Sequence, residues 1–180
     1  MIPTIDEFKN SAQIIQYFGL GFVQIKINEK LRYHFYHPYL EKTSIDDIHN
    51  HRCTFKSKIL YGELHEELYK IVEGNDYFVK ISKCKAGVSN ELIDNKVSVK
   101  KLMDITYYAG SSYYRYPKEF HTVSNNGICI TELTMIPPKY ESAVVLIKDK
   151  SEVDYCPFKS SYTINELWAI VYQSLEVGKC

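Results

Sequence analysis

The sequence predicts a mainly β domain, an antiparallel sandwich or barrel with one helix before it and one after it. Three observations predict this. Short apolar stretches bounded by Gly, Asn and Pro recur from residue 22 to 148, a strand count that favours a sandwich or barrel in one domain. Sixteen tyrosines suit half-wet strand surfaces, because Tyr has high strand propensity and a polar tip. Thr4-Ile5-Asp6-Glu7 and Thr163-Ile164-Asn165-Glu166 each place a hydroxyl three residues before a Glu, the capping-box spacing that starts a helix. A length of 180 residues fits a single domain spanning 1–180.

Phe8, Ile14, Ile15 and Phe18 follow the first box at roughly helical spacing, so a helix is expected over about 4–18, ended by Gly19-Leu20-Gly21. Residues 22–28 and 31–37 read as strands around Asn28-Glu29-Lys30, and 38–47 as a polar loop. Strands are expected at 52–61 and 63–72, flanking a tight turn or bulge at Gly62, and at 77–83 after a turn at Glu73-Gly74-Asn75-Asp76. Residues 86–95 read as a loop and 97–108 as a strand. Short strands follow at 113–116, 120–124 and 128–136, the last two joined through Asn125-Asn126-Gly127, a hairpin signal. Pro137-Pro138 ends that run, and 143–148 is one more strand. The second box opens a helix over 163–177, with Leu167, Ile170, Val171, Ser174 and Leu175 on one side.

Lys plus Arg and Asp plus Glu are both 22, giving a net charge of zero. Such balance exerts no general pull on nucleic acid or an anionic membrane, so neither is expected as a partner. No apolar run approaches the length that spans a bilayer. The first residues lack a basic stretch followed by an apolar core, so no secretion signal is expected. Cys53, Cys84, Cys129, Cys156 and Cys180 are odd in number and lack C-x-x-C spacing. Free thiols in a reducing compartment, hence a cytoplasmic location, are the expectation.

The chemistry concentrates in Ile48-His49-Asn50-His51-Arg52-Cys53-Thr54-Phe55. On an extended segment, side chains alternate faces with period two, so His49 and His51 point the same way and form half of a metal site. His121, in Tyr116-Pro117-Lys118-Glu119-Phe120-His121, is the candidate third ligand if a barrel brings it alongside. A single histidine is usually structural; a convergent trio is not. Imidazole suits Fe, Ni, Cu and Zn alike, so spacing leaves the metal open.

The stretches IHNHRCTFKSKILYGELHEELYKI and GSSYYRYPKEFHTVSN resemble the two signature motifs of the cupin superfamily, and within it the cysteine dioxygenase type of thiol dioxygenase. The likeness covers about 31–138. It implies a jelly-roll-like antiparallel barrel over about 21–150, flanked by the two helices. It also implies a divalent metal, Fe(II) first with Zn(II) or Ni(II) as alternatives, held by His49, His51 and His121. The glutamate ligand of many cupins is absent from 52–56, in keeping with a three-histidine set. The crosslinking cysteine of some dioxygenases would fall near Lys56. Their serine-histidine-tyrosine relay falls on Thr131, Leu133 and Met135, where only the hydroxyl survives. Many cupins dimerise, which makes a homodimer an expectation of the resemblance that no stretch of this chain marks.

Arg32 and Arg115 are candidates for gripping a substrate anion through a guanidinium fork. Arg32, His34 and Tyr36 share one strand face; Tyr114 and Tyr116 share another ahead of His121; Thr131 retains a hydroxyl. Glu67, on one face with His65 and Tyr69, is the expected carboxylate partner for a histidine N–H. Cys53 has the histidines' parity and is expected as a buried, inert thiol. The resulting expectation is a metal-dependent cupin oxygenase acting on a small thiol-bearing or anionic molecule. The alternatives are a hydrolase or isomerase on the same ligands, and a cupin that binds or sequesters a small molecule without turnover.

Overall fold

The computed structural model describes residues 2–42, 48–83, 90–151 and 162–178. Two antiparallel sheets carry the chain. One has six strands: β1 (Ile14–Phe18), β2 (Phe22–Lys26), β3 (Leu31–Tyr36), β10 (Cys129–Lys139), β5 (Cys53–Tyr61) and β8 (Ser112–Arg115), in that spatial order. The other runs β11 (Ala143–Ile147), β4 (Ile48–His49), β9 (Phe120–Ser124), β6 (Glu63–Ser82) and β7 (Glu91–Tyr108), with β11 also pairing the far half of β6. From β3 onward the chain passes back and forth between the sheets, so their inner faces are laid down together. Helices α1 (Ile5–Ser11) and α2 (Ile164–Val177) flank the strands. The mainly β architecture with terminal helices is as the sequence predicts. Among the described residues, no helix is long and apolar enough to cross a membrane.

Both capping boxes are made: Thr4 and Thr163 accept from the N–H of Glu7 and Glu166, whose carboxylates accept from the cap N–H in return. The first helix nevertheless stops at Ser11. Ala12 is already extended, and the residues expected to continue the helix form β1, hydrogen-bonded to β2 from Ile14↔Lys26 to Phe18↔Phe22. β-Branched and aromatic residues satisfy either pattern, and the ladder with β2 decides it.

The inner and outer faces of the six-stranded sheet follow directly from parity. Val23, Ile25, Tyr33, Phe35 and Ile130 point outward and are sealed by Phe8 of α1 and by Leu167, Ile170, Val171 and Leu175 of α2. Phe22, Tyr36, Phe55, Ile59, Tyr113, Cys129 and Leu133 point between the sheets. Four consecutive buried residues in β2 reflect this double coverage.

Two expected turns behave differently from their sequence reading. Residues 73–76 do not reverse the chain: β6 runs through them, with both Glu73 and Tyr77 opposite Val97, so they form a bulge. Asn125-Asn126-Gly127 does turn, with the Asn125 amide donating to the Gly127 carbonyl, but it delivers β9 and β10 to different sheets. β7 begins at Glu91, inside the stretch expected as loop. Pro137-Pro138 lies within β10. Cys53 and Cys129 are free and buried; Cys84, Cys156 and Cys180 lie outside the described residues.

Candidate metal centre

β4 and β9 set the first two imidazoles side by side, because His49 and His121 are register partners. His49 is also opposite Val145 of β11. The third ring arrives by another route. β4 ends at His49, and Asn50 locks the exit: its Oδ1 accepts from the Val144 N–H at 2.7 Å while its own N–H donates to the Val144 carbonyl at 3.0 Å. The chain then swings toward β5, placing His51 edge-on against Phe55, ring centroids 4.6 Å apart. His51 therefore lies just past the end of β4, with its ring on the same side as that of His49.

The three rings form a nearly equilateral triangle, with centroids 4.9 Å (His49–His51), 4.8 Å (His49–His121) and 4.8 Å (His51–His121) apart. One nitrogen from each lies within 4.8 Å of the others, and His51 Nε2 is 2.7 Å from His121 Nε2. Burial, followed by the neighbouring imidazoles, holds the pKa of His51 and of His121 well below the ordinary value. Those two rings are neutral near pH 7 and present lone pairs, which is what metal ligation needs. The donor set fits a divalent ion that favours imidazole.

The carboxylate that reaches this cluster is Glu66, not Glu67. Glu66 is fully buried on the inner face of β6 between Leu64 and Leu68, and its Oε1 is 2.5 Å from His121 Nδ1. Glu67 points the other way. It pairs with Lys101 and accepts from Tyr69 at 2.5 Å on the outer surface, where it groups with His65 and Asp104. The signal for Glu66 was available: the apolar residues at 64 and 68 mark the inward parity, and 66 shares it.

Arg115 is not a substrate grip either. It is buried, forks onto Glu66 (Nε to Oε1 2.7 Å, with a second contact from Nη2 to Oε2), and donates to Tyr107 and to the Tyr114 carbonyl. Tyr114 and Tyr116 are 47% and 53% exposed, off the inner face. Tyr113, one position away from Tyr114, has the inward parity and lines the interior instead.

Between the sheets lies a cavity of about 410 Å³ that the histidines line at one side. Arg32, His34 and Tyr36 face into it, as does Thr131, which is opposite His34 in the β3–β10 ladder and buried. Gln24, which the sequence reading did not single out, ties this wall together: its Oε1 accepts from Arg32 Nη1 at 3.4 Å and lies 3.2 Å from His34 Nε2. His34 stacks on Phe22 at 4.2 Å, and burial pushes its pKa down to about 3. Leu133 and Met135 line the cavity as well, apolar at the two positions where the dioxygenase relay would carry imidazole and phenol. Among the described residues that line it, Lys26, Arg32, Arg52, Lys80 and Lys139 are cationic, while the one carboxylate, Glu29, is ion-paired to Lys26. Cys53 is buried there, its thiol pushed up by burial. Arg52 turns to the Lys83 carbonyl at 3.1 Å.

No family model matches the chain, and no curated protein matches it. Among solved structures it is similar to the CENP-C cupin domain of Drosophila melanogaster (12% identity, TM-score 0.36, covering 64% of this chain and 70% of that one). It is also similar to Drosophila CENP-C bound to CAL1 (11%, 0.37, 64% and 76%). A third is hydroquinone 1,2-dioxygenase from Sphingomonas sp. TTNP3 with 4-hydroxybenzoate bound (8%, 0.32, 74% and 71%).

Proposed function

We propose that this protein is a cupin-type metalloprotein that holds Fe(II) on His49, His51 and His121 and oxygenates a small anionic molecule. The observation that carries the reading is the triangle of three imidazoles at the wall of a cation-lined cavity between the sheets. Iron(II), when bound, supplies the redox chemistry with dioxygen that no side chain can. The chain's own residues do the rest. Arg32 grips the anion, with Gln24 orienting its guanidinium. His34 stays neutral and adds a hydrogen-bonding edge without charge, and Thr131 adds a hydroxyl. Phe22, Tyr36, Phe55 and Tyr113 supply apolar wall on which the rest of the bound molecule can lie. Zn(II) or Ni(II) would suit the same nitrogens.

Binding without turnover is the second reading, favoured by apolar Leu133 and Met135 on the cavity wall. Metal analysis of purified protein, followed by oxygen uptake with cysteine, cysteamine and mercaptopropionate, separates the two. Iron with oxygen uptake supports the oxygenase. Iron with no uptake, while a small anion still binds, supports the second reading, and absence of any metal on repeated loading overturns the oxygenase.

A further inference from the structure

A carboxylate buried as completely as Glu66 has to be paired and hydrogen-bonded, and its partners decide what it does. Here both oxygens accept guanidinium N–H groups from Arg115, whose permanent positive charge favours the ionised carboxylate against the opposing push of burial. Arg115 is fixed in turn by Tyr107 Oη at 3.1 Å, by the Tyr114 carbonyl at 2.7 Å, and by the Tyr113 ring beneath it at 4.9 Å. An ionised carboxylate only accepts. The hydrogen on the 2.5 Å contact between Glu66 Oε1 and His121 Nδ1 therefore belongs to the imidazole.

We propose that Glu66 is a positioning residue for the metal centre: anchored by Arg115, it locks His121 as the Nδ1–H tautomer and aims the Nε2 lone pair into the histidine triangle. This rests on the three-histidine metal reading above and adds how one ligand is prepared for it. A consequence follows for the neighbouring ring. His121 Nε2 and His51 Nε2 are 2.7 Å apart, and with the first an acceptor the hydrogen between them sits on His51 Nε2. Ligation through His51 Nε2 would exchange this tautomer for the Nδ1–H form of the same ring, with no net gain or loss of protons. A carboxylate behind a ligating imidazole also strengthens it as a donor.

The test begins with long-range proton–nitrogen NMR of the imidazoles in ¹⁵N-labelled, metal-free protein. The expected spectrum shows His121 protonated at Nδ1; protonation at Nε2 overturns the proposal. Zn(II) titration of two matched pairs then isolates the hydrogen bond. Glu66→Gln with Arg115→Met keeps an acceptor oxygen toward His121 and removes the ion pair, whereas Glu66→Leu with Arg115→Met removes the acceptor at similar volume. The Gln pair should keep the tautomer and bind Zn(II) within a few-fold of the native protein, while the Leu pair should lose roughly tenfold or more. Equal affinity in the two pairs, with Zn(II) bound by the native protein, overturns the lock and leaves the metal centre standing. A native protein that takes up no Zn(II) overturns the centre itself. Should either pair fail to fold, the native spectrum decides the tautomer alone.

Discussion

His49→Ala and His121→Ala should each abolish stoichiometric metal binding, because two remaining imidazoles cannot enclose an ion that three hold. Metal content of the purified variants checks this, and retention in both would refute the assignment. Arg32→Met should weaken binding of a small carboxylate by about 1.5–3 kcal/mol, the range of a hydrogen bond to a charged group, while leaving metal content unchanged. Calorimetry with the same anion on both proteins reads it. His34 supplies a pH dependence. Its folded pKa of about 3 lies below the ordinary 6.5, so the unfolded chain binds the extra proton first. Stability from this residue is present above about pH 6.5 and falls as the pH drops toward 3, by at most about 1.4 kcal/mol per pH unit. His34→Gln should flatten the acid limb of a denaturation series by about one proton, and an unchanged slope would place the acid sensitivity elsewhere. The three histidines were legible from spacing and from the cupin resemblance, whereas the glutamate beside them was assigned one residue off. A one-residue parity error sends a side chain to the opposite face of a strand, which is why Glu67, Tyr114 and Tyr116 lie outside and Glu66 and Tyr113 lie inside.

At the scale of elements, local signals held where one residue dictates geometry and failed where pairing dictates it. Gly62 hinges β5 in one sheet to β6 in the other with φ +73°, and a Cβ there would come within 2.2 Å of the Ile128 carbonyl oxygen. Gly62→Ala should therefore cost more than about 1 kcal/mol, through both the disfavoured backbone angle and the clash, readable as a lowered urea midpoint. The two capping boxes began their helices at the expected residues. Yet nothing between residues 8 and 18 announces that the helix ends at Ser11. Ile14, Ile15 and Phe18 fit a helical stripe as well as they fit a strand, and the choice belongs to β2, which supplies hydrogen bonds along the whole of β1. The bulge at 73–76 is the same case, since Gly-Asn-Asp signals a turn until a 16-residue ladder with β7 holds the strand straight through it.

For the molecule as a whole, the six-stranded sheet separates two interiors with different duties. Phe8, wholly buried against Tyr33 and Phe35, fastens α1 and α2 to the outer face, while the cavity and its histidines occupy the inner face. Phe8→Ala should destabilise the fold by about 3–5 kcal/mol while leaving metal affinity in the surviving folded fraction unchanged. Thermal unfolding and metal titration on the same sample test the separation, and parallel loss of both would show that the two interiors are coupled. By itself the sequence determined that the chain is mainly β, where its helices begin, and which three histidines to suspect, because these depend on periodicity, caps and spacing along the chain. Only the tertiary structure decided that β9 lies beside β4, that Glu66 and Arg115 close behind His121, and that Arg32 faces a cavity. Contacts between residues 49 and 121, or 66 and 115, are fixed by how strands are shared between two sheets, and no local pattern encodes that sharing.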